Sequence, residues 1–239
     1  MSTFDWKKEA EIKWDKQADA WSSRSRNMWE KGSRVDVIPF LENNLEKGSK
    51  VLDIGCADGY GSLKLAKAGY HVIGTDISGE MVRRAKDKVN PEEATFIKGD
   101  VNDLLFEDRE FDGIMAINVL EWTADPEKAL REVIRVVKEN GLLCIGLLGP
   151  TAGPRINSYP RLYGENAICN TMMPWEFEKL ALEKNLEYVD GFGVYKKEVK
   201  ENQYKDLPRE LKQALTFMWV FMLRKVEQNE QGNRRKSDS

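Results

Sequence analysis

The sequence predicts an α/β fold: a doubly wound, seven-stranded, mostly parallel sheet with its last strand antiparallel, an N-terminal helical segment and an insertion after the fifth strand. Three observations carry this. From residue 50 the apolar periodicity alternates between strand and helix at short intervals. A strand Val51 to Ile54 runs into a turn punctuated by Gly55, Gly59 and Gly61, where the backbone needs φ > 0 or close approach to a ligand. A late run, Thr216 to Leu223, is apolar on both faces, as a strand inserted into a sheet would be.

Residues 5–30 carry Trp6, Trp14, Trp21 and Trp29 at spacings of eight, seven and eight, which on a helix line up along one face. That face suits either ordinary packing or a lid whose Trp21, Arg24 and Arg26 close over a ligand. Residues 1–48 are assigned to this helical lid, as part of a single domain, with a further helix over 34–45 marked by Val35, Ile38 and Leu41 and stopped by Gly48. The main domain follows over 49–226. Its strands are expected at Lys50 to Ile54, His71 to Thr75, Ala94 to Lys98, Phe111 to Ile117 and Leu142 to Leu148. Between them lie helices at 60–68, ended by Gly69, at Gly79 to Val89, closed by Asn90-Pro91, and at Pro126 to Val137, ended by Asn140-Gly141. Right-handed crossovers make such a sheet doubly wound. Residues 149–173 break the pattern as an irregular, aromatic insertion, read as a substrate cap. A helix at Pro174 to Lys184, a strand near Leu186 to Tyr195, a charged connection over 196–213 and a strand near Ala214 to Lys225 complete the domain. The tail over 227–239 lacks apolar residues and is expected to be disordered.

The 239 residues suffice for one sizeable core. A formal net charge of -3, with 37 basic residues set against 40 acidic ones, gives polyanion binding no global support. Cys56, Cys144 and Cys169 form a sparse set with no CxxC spacing, so neither a disulfide framework nor a metal site is expected, and a reducing, cytoplasmic setting is. No apolar run approaches the ~20 residues that cross a bilayer.

In an open α/β sheet, ligands sit outside the C-terminal ends of the strands where strand order reverses. The polar residues there are the glycine turn, then Asp76, 21 positions beyond Gly55, then Asp100, then Asn118 and Glu121. A carboxylate about 20 residues beyond a glycine loop suits two ribose hydroxyls. A dinucleotide site wants GxGxxG, whereas the spacing here is GxxxGxG, and Asp53 and Asp58 would repel a diphosphate. A cofactor with an amino group and a sulfonium fits better.

On these residues the chain resembles class I S-adenosylmethionine-dependent methyltransferases, of the small-molecule kind related to ubiquinone and menaquinone biosynthesis C-methyltransferases. Val51 to Gly59 resembles the family's first motif, Val72 to Ser78 its ribose strand, and Phe111 to Ile114 with Leu142-Leu143 its fourth and fifth strands. The resemblance implies a Rossmann-like fold with S-adenosyl-L-methionine as cofactor. It implies that Asp53, Gly55, Cys56, Ala57 and Gly59 surround the methionine moiety and Asp76 holds the ribose hydroxyls. Ile77 would pack on adenine, Asp100 receive the adenine amino group, the Val101 amide meet a ring nitrogen and Asn118 offer its carbonyl near the methionine end. Trp21 and Arg26 of the lid are expected to reach the same cofactor. Two residues depart from the family: Ala57 stands where a glycine is common, and Trp122 where many relatives have histidine. His71, the only histidine, falls at the opposite end of the sheet, so no histidine base is expected. Glu121, Tyr159 and Tyr163 are the candidates to take a proton, and Trp122 either lines the methyl-transfer cavity or packs in the core.

Family members that methylate exocyclic amines carry Asn or Asp followed by Pro-Pro-Tyr after the fourth strand; here Asn118 is followed by Val119-Leu120-Glu121-Trp122. With the acidic balance this argues against DNA. The expected partner is a small molecule with aromatic or partly apolar character. Alternatives are an RNA methyltransferase using local basic patches, a non-catalytic S-adenosylmethionine-binding protein and, more distantly, a nicotinamide oxidoreductase; oligomeric state is not addressed by the sequence.

Overall fold

A computed structural model describes residues 4–227, so the expected disordered tail lies, from residue 228 on, outside the described residues. Seven strands form one sheet in the order β3-β2-β1-β4-β5-β7-β6. They are β1 (Lys50–Ile54), β2 (His71–Asp76), β3 (Ala94–Lys98), β4 (Phe111–Ile117), β5 (Val137–Leu148), β6 (Leu186–Val194) and β7 (Met218–Lys225). The first five pair in parallel, and β7 runs antiparallel to both β5 and β6.

Both faces are buried, and the period-2 alternation of a strand divides the core in two. Leu52, Ile54, Ile114, Ala116, Leu143 and Phe221 point to one face. Val51, Met115, Ile117, Cys144, Val220 and Met222 point to the other. Helices α1 (Trp6–Glu30), α2 (Val37–Glu42), α3 (Tyr60–Lys67) and α4 (Gly79–Lys88) belong with the second face, and α5 (Pro126–Val136) and α6 (Pro174–Glu183) with the first. Their starts follow side-chain capping: Asp5 accepts the Lys8 N–H at 3.1 Å, Ser78 the Met81 N–H at 3.1 Å and Asp125 the Lys128 N–H at 2.9 Å.

Four expectations are corrected. The helix starting at Pro126 ends at Val136, and Val137 already pairs with Phe111 in β5. Asn140-Gly141, expected as its stop, lies inside the strand, where Asn140 takes φ 61° near a register shift against β4. The last strand begins at Met218 because Ala214 closes a short helix, α8 (Arg209–Ala214), which with α7 (Glu201–Tyr204) occupies the charged connection. Much of the irregular insertion is a 3-10 helix, Gly153–Tyr163.

Trp29 is 4% exposed and leaves the lid face for the core. Gly61 on α3 lies beneath it, and a Cβ there would collide with the Trp29 indole. Gly61→Ala is therefore expected to lower the unfolding free energy by about 1–3 kcal/mol, the usual cost of overpacking. Urea titration reads this as a lowered midpoint; an unchanged midpoint would show the indole to be free to move.

Candidate functional site

Strand order reverses at β1, whose neighbours are β2 on one side and β4 on the other. A cleft of about 920 Å³, open mouth included, lies outside the C-terminal ends of these strands. Its floor comes from the turn after β1 (Gly55, Ala57), the ends of β2 (Asp76, Ile77) and β3 (Asp100, Val101, Asn102), and the end of β4 (Asn118, Val119). Helix α1 forms its roof with Trp6, Lys7, Ala10, Trp14 and Trp21. Trp122 and Arg34 close the remaining wall.

The floor is preorganised by its own backbone. Gly55 takes φ 68°, and a Cβ there would strike the Val119 side chain. Ala57 takes φ 50°, so this alanine holds the left-handed conformation that a glycine adopts without strain. Its N–H donates to Asp76 Oδ2 at 2.9 Å, while Ser78 N–H donates to Asp76 Oδ1 at 2.9 Å. Burial raises the Asp76 pKa to about 6 even against these donors. Asp100 accepts the Asn102 N–H at 2.9 Å and faces Lys7 of the roof at 3.4 Å.

Of the expected cofactor residues, Gly55, Ala57, Asp76, Ile77, Asp100, Val101, Asn118 and Trp21 line this one cleft. Four others do not. Asp53 lies beneath the turn, buried, and accepts the Ser62 hydroxyl at 2.6 Å. Burial raises its pKa to about 7. Cys56 points into the core, and Gly59, at φ 79°, starts α3 against Ala85 and Phe96. Arg26 lies on the exposed side of α1, turned about 140° from Trp21 at roughly 100° per residue.

The three proton acceptors fall elsewhere too. Tyr159 and Tyr163 are 48% and 70% exposed on the 3-10 helix, away from the cleft wall. Glu121 is buried behind it. Its Oε1 accepts the Leu148 N–H at 2.5 Å and Asn118 Nδ2–H at 3.2 Å, and its backbone carbonyl accepts the Asn170 N–H at 2.8 Å. It ties the tips of β4 and β5 to the insertion, which makes it a positioning group. His71 starts β2, remote from the cleft.

The residue missed from sequence is Arg34. It is 6% exposed, between the rings of Trp21 and Trp29 at 4.9 and 5.5 Å. Its guanidinium makes one long hydrogen bond among the described residues, to the Ile117 carbonyl at 3.5 Å. Burial lowers its pKa to about 10, which leaves it charged at neutral pH. A buried cation with unused donors at the Gly55 end, and two carboxylates at the other, match an amino acid carboxylate, a ribose and an amino-bearing base in a row.

Helix α1 is tied to the body along an acidic edge. Glu11 pairs with Lys98 at 2.5 Å and Asp19 with Arg84 at 2.6 Å. Asp15 accepts the Ser78 hydroxyl at 2.5 Å and the Glu80 N–H at 3.1 Å, at the start of α4. Ser25 donates to the buried Asp58 at 2.7 Å.

Sheet order, cleft and carboxylate series together resemble the cofactor domain of class I S-adenosylmethionine-dependent methyltransferases. Residues 52–145 accordingly match the family described as "Methyltransferase domain". Among similar curated proteins is a demethylmenaquinone methyltransferase of Renibacterium salmoninarum, 36% identical over 108 residues, 45% of this chain and 45% of that one. Another is the 2-methyl-6-phytyl-1,4-hydroquinone methyltransferase of Synechocystis, 35% identical over 120 residues, 47% of this chain and 38% of that one. A SAM-dependent methyltransferase of Methanosarcina mazei superposes with a TM-score of 0.62 at 21% identity, covering 80% of this chain and 98% of that one, a likeness of fold. The matched stretches span 23% to 53% of the curated relatives' own lengths. No helix among the described residues is long and apolar enough to cross a membrane.

Proposed function

We propose that this chain is a methyltransferase that moves the methyl group of S-adenosylmethionine to a small acceptor of aromatic or partly apolar character. The observation that carries the reading is the single cleft with the buried guanidinium of Arg34 at one end and Asp76 and Asp100 at the other. Arg34 would hold the methionine carboxylate, Asp76 the ribose hydroxyls and Asp100 the adenine amino group, with Ile77 and Val101 against the base. The bound cofactor supplies a sulfonium methyl group already activated for displacement. What the chain must add is in-line placement of the acceptor and exclusion of water.

Placement falls to the indoles. Trp14 lies edge-on to Trp21 and Trp122 with centroids 5.9 and 5.2 Å apart, and Trp6 Nε1–H donates to the Trp122 carbonyl at 2.6 Å, joining roof to wall. Such walls favour a planar ring. The relatives named above act, by their names, on demethylmenaquinone and 2-methyl-6-phytyl-1,4-hydroquinone, which supports a ring carrying an apolar group. α1 serves as the lid in this reading, and residues 49–226 as the catalytic body. Three buried, free cysteines support a cytoplasmic setting.

Incubation with methyl-labelled cofactor and a panel of hydroquinones and catechols, with and without an isoprenoid or alkyl tail, is expected to give labelled acceptor. Tight cofactor binding with no label transferred, either to the panel or to a metabolite extract, would identify a binding protein instead.

A further inference from the structure

Beyond the cofactor cleft, the insertion after β5 presents an apolar ridge that none of the described residues cover. In a 3-10 helix residues three apart eclipse one another. Over Gly153–Tyr163 that spacing aligns Ile156, Tyr159 and Leu162, which are 69%, 48% and 64% exposed, with Tyr163 beside them at 70%. Single exposed apolar residues need no explanation, but a row of them on a fixed support does.

The support is fixed from below. Arg155 donates to the carbonyls of Gly149, Leu148, Thr171 and Met172 at 2.8, 2.5, 3.0 and 2.9 Å, and Ser158 is buried. Asn157 accepts from Lys13 of α1 at 2.7 Å, and Ala152 packs with Trp122 and Trp14, which wall the cleft. The ridge is therefore joined through its base to the indole wall and the helical roof of the cleft.

We infer that this ridge docks the protein on the surface of an anionic lipid bilayer. Four side chains offer a few hundred Å², short of the ~800 Å² per partner that a stable protein interface buries. Two aliphatic tips flanked by tyrosines match the composition of segments that rest at the headgroup boundary. The charge is compatible as well: Gly153–Tyr163 holds no carboxylate, and its outward cation is the exposed Arg161, Arg155 being turned inward onto the four carbonyls. Docked this way, the ridge brings the indole wall of the cleft, and the acceptor it would place, to the membrane surface. That consequence for the acceptor rests on the methyltransferase reading; the docking itself does not.

Co-sedimentation of the full chain with vesicles of phosphatidylcholine, alone or mixed with phosphatidylglycerol, tests the inference. The unaltered chain is expected to partition onto the anionic vesicles. Ile156→Asp with Leu162→Asp should weaken partitioning at least tenfold, since each carboxylate replaces a side chain that would be buried in lipid. Arg161→Gln should weaken it about fivefold, the scale of one basic residue near an anionic surface. The milder Ile156→Gln, with thermal melts on every variant, separates lost docking from lost folding. Failure of the unaltered chain to bind either vesicle, equal partitioning of the folded variants, or a lipid-free dimer that the substitutions abolish would each overturn the inference. S-adenosylhomocysteine binding, measured on the same samples, reports separately on the proposed function and is expected to be unchanged.

Discussion

Replacing Arg34 with methionine is expected to weaken S-adenosylhomocysteine binding by about 3 kcal/mol, roughly a hundredfold, the scale for removing one partner of a buried charge pair. Arg34 is the buried cation of the cleft wall, flanked by Trp21 and Trp29, and spends one long bond on the Ile117 carbonyl. A ligand carboxylate would be its first strong partner. Methionine fills much of the same space between the indoles, so the apo fold should survive and the loss should appear in binding. Arg34→Lys keeps the charge but loses the planar fork between the rings, and an intermediate loss of about tenfold is expected. Affinity within twofold of the parent in Arg34→Met would show that the carboxylate is held elsewhere.

Asp76→Ala is expected to cost about 1.5–3 kcal/mol of cofactor affinity, the usual value of hydrogen bonds to a charged group. The same residue predicts a pH dependence whose sign follows from its environment. Burial holds the free carboxyl at about 6, so it is ionised at pH 7.5 and increasingly protonated below pH 6. Ribose hydroxyls donate to the ionised form, and binding therefore draws the pKa down. Affinity should be greatest above about pH 6 and fall as pH drops below it, by up to tenfold per unit. Asp76→Asn should be weaker at pH 7.5 and lose that fall. Calorimetric titrations at several pH values between 5 and 8 check both, and a pH-independent affinity in the parent would remove Asp76 from the ribose site.

Which parts of this were legible beforehand follows from what periodicity can carry. Strands β1, β2 and β4 lie within a residue of the expected positions because apolar residues facing two cores leave nearly continuous runs in sequence, and the edge strand β3 is marked instead by the alternation of Ala94 and Phe96. The start of β5 was not legible, since Asn140-Gly141 signals a helix stop as readily as a kink inside a strand. Asp76 and Asp100 were legible because strand ends fix where their side chains go. Arg26 and Arg34 were not distinguishable from sequence. One continuous helix carries Arg26 to the outer face, and the turn through Gly32 and Ser33 folds Arg34 back under the indoles. Tyr159 and Tyr163 belong to an insertion whose 3-10 helix has no core-facing apolar periodicity to mark it in sequence, and both stand exposed on it rather than in the cleft.

The proposed activity requires that the cleft outside the ends of β1 and β4 hold S-adenosylmethionine. Isothermal titration of the full chain with S-adenosylhomocysteine at pH 7.5, beside NADH, tests it most directly. Saturable one-to-one binding of S-adenosylhomocysteine, with NADH silent, is the predicted result. No heat with S-adenosylhomocysteine, or tight binding of NADH in its place, would contradict it.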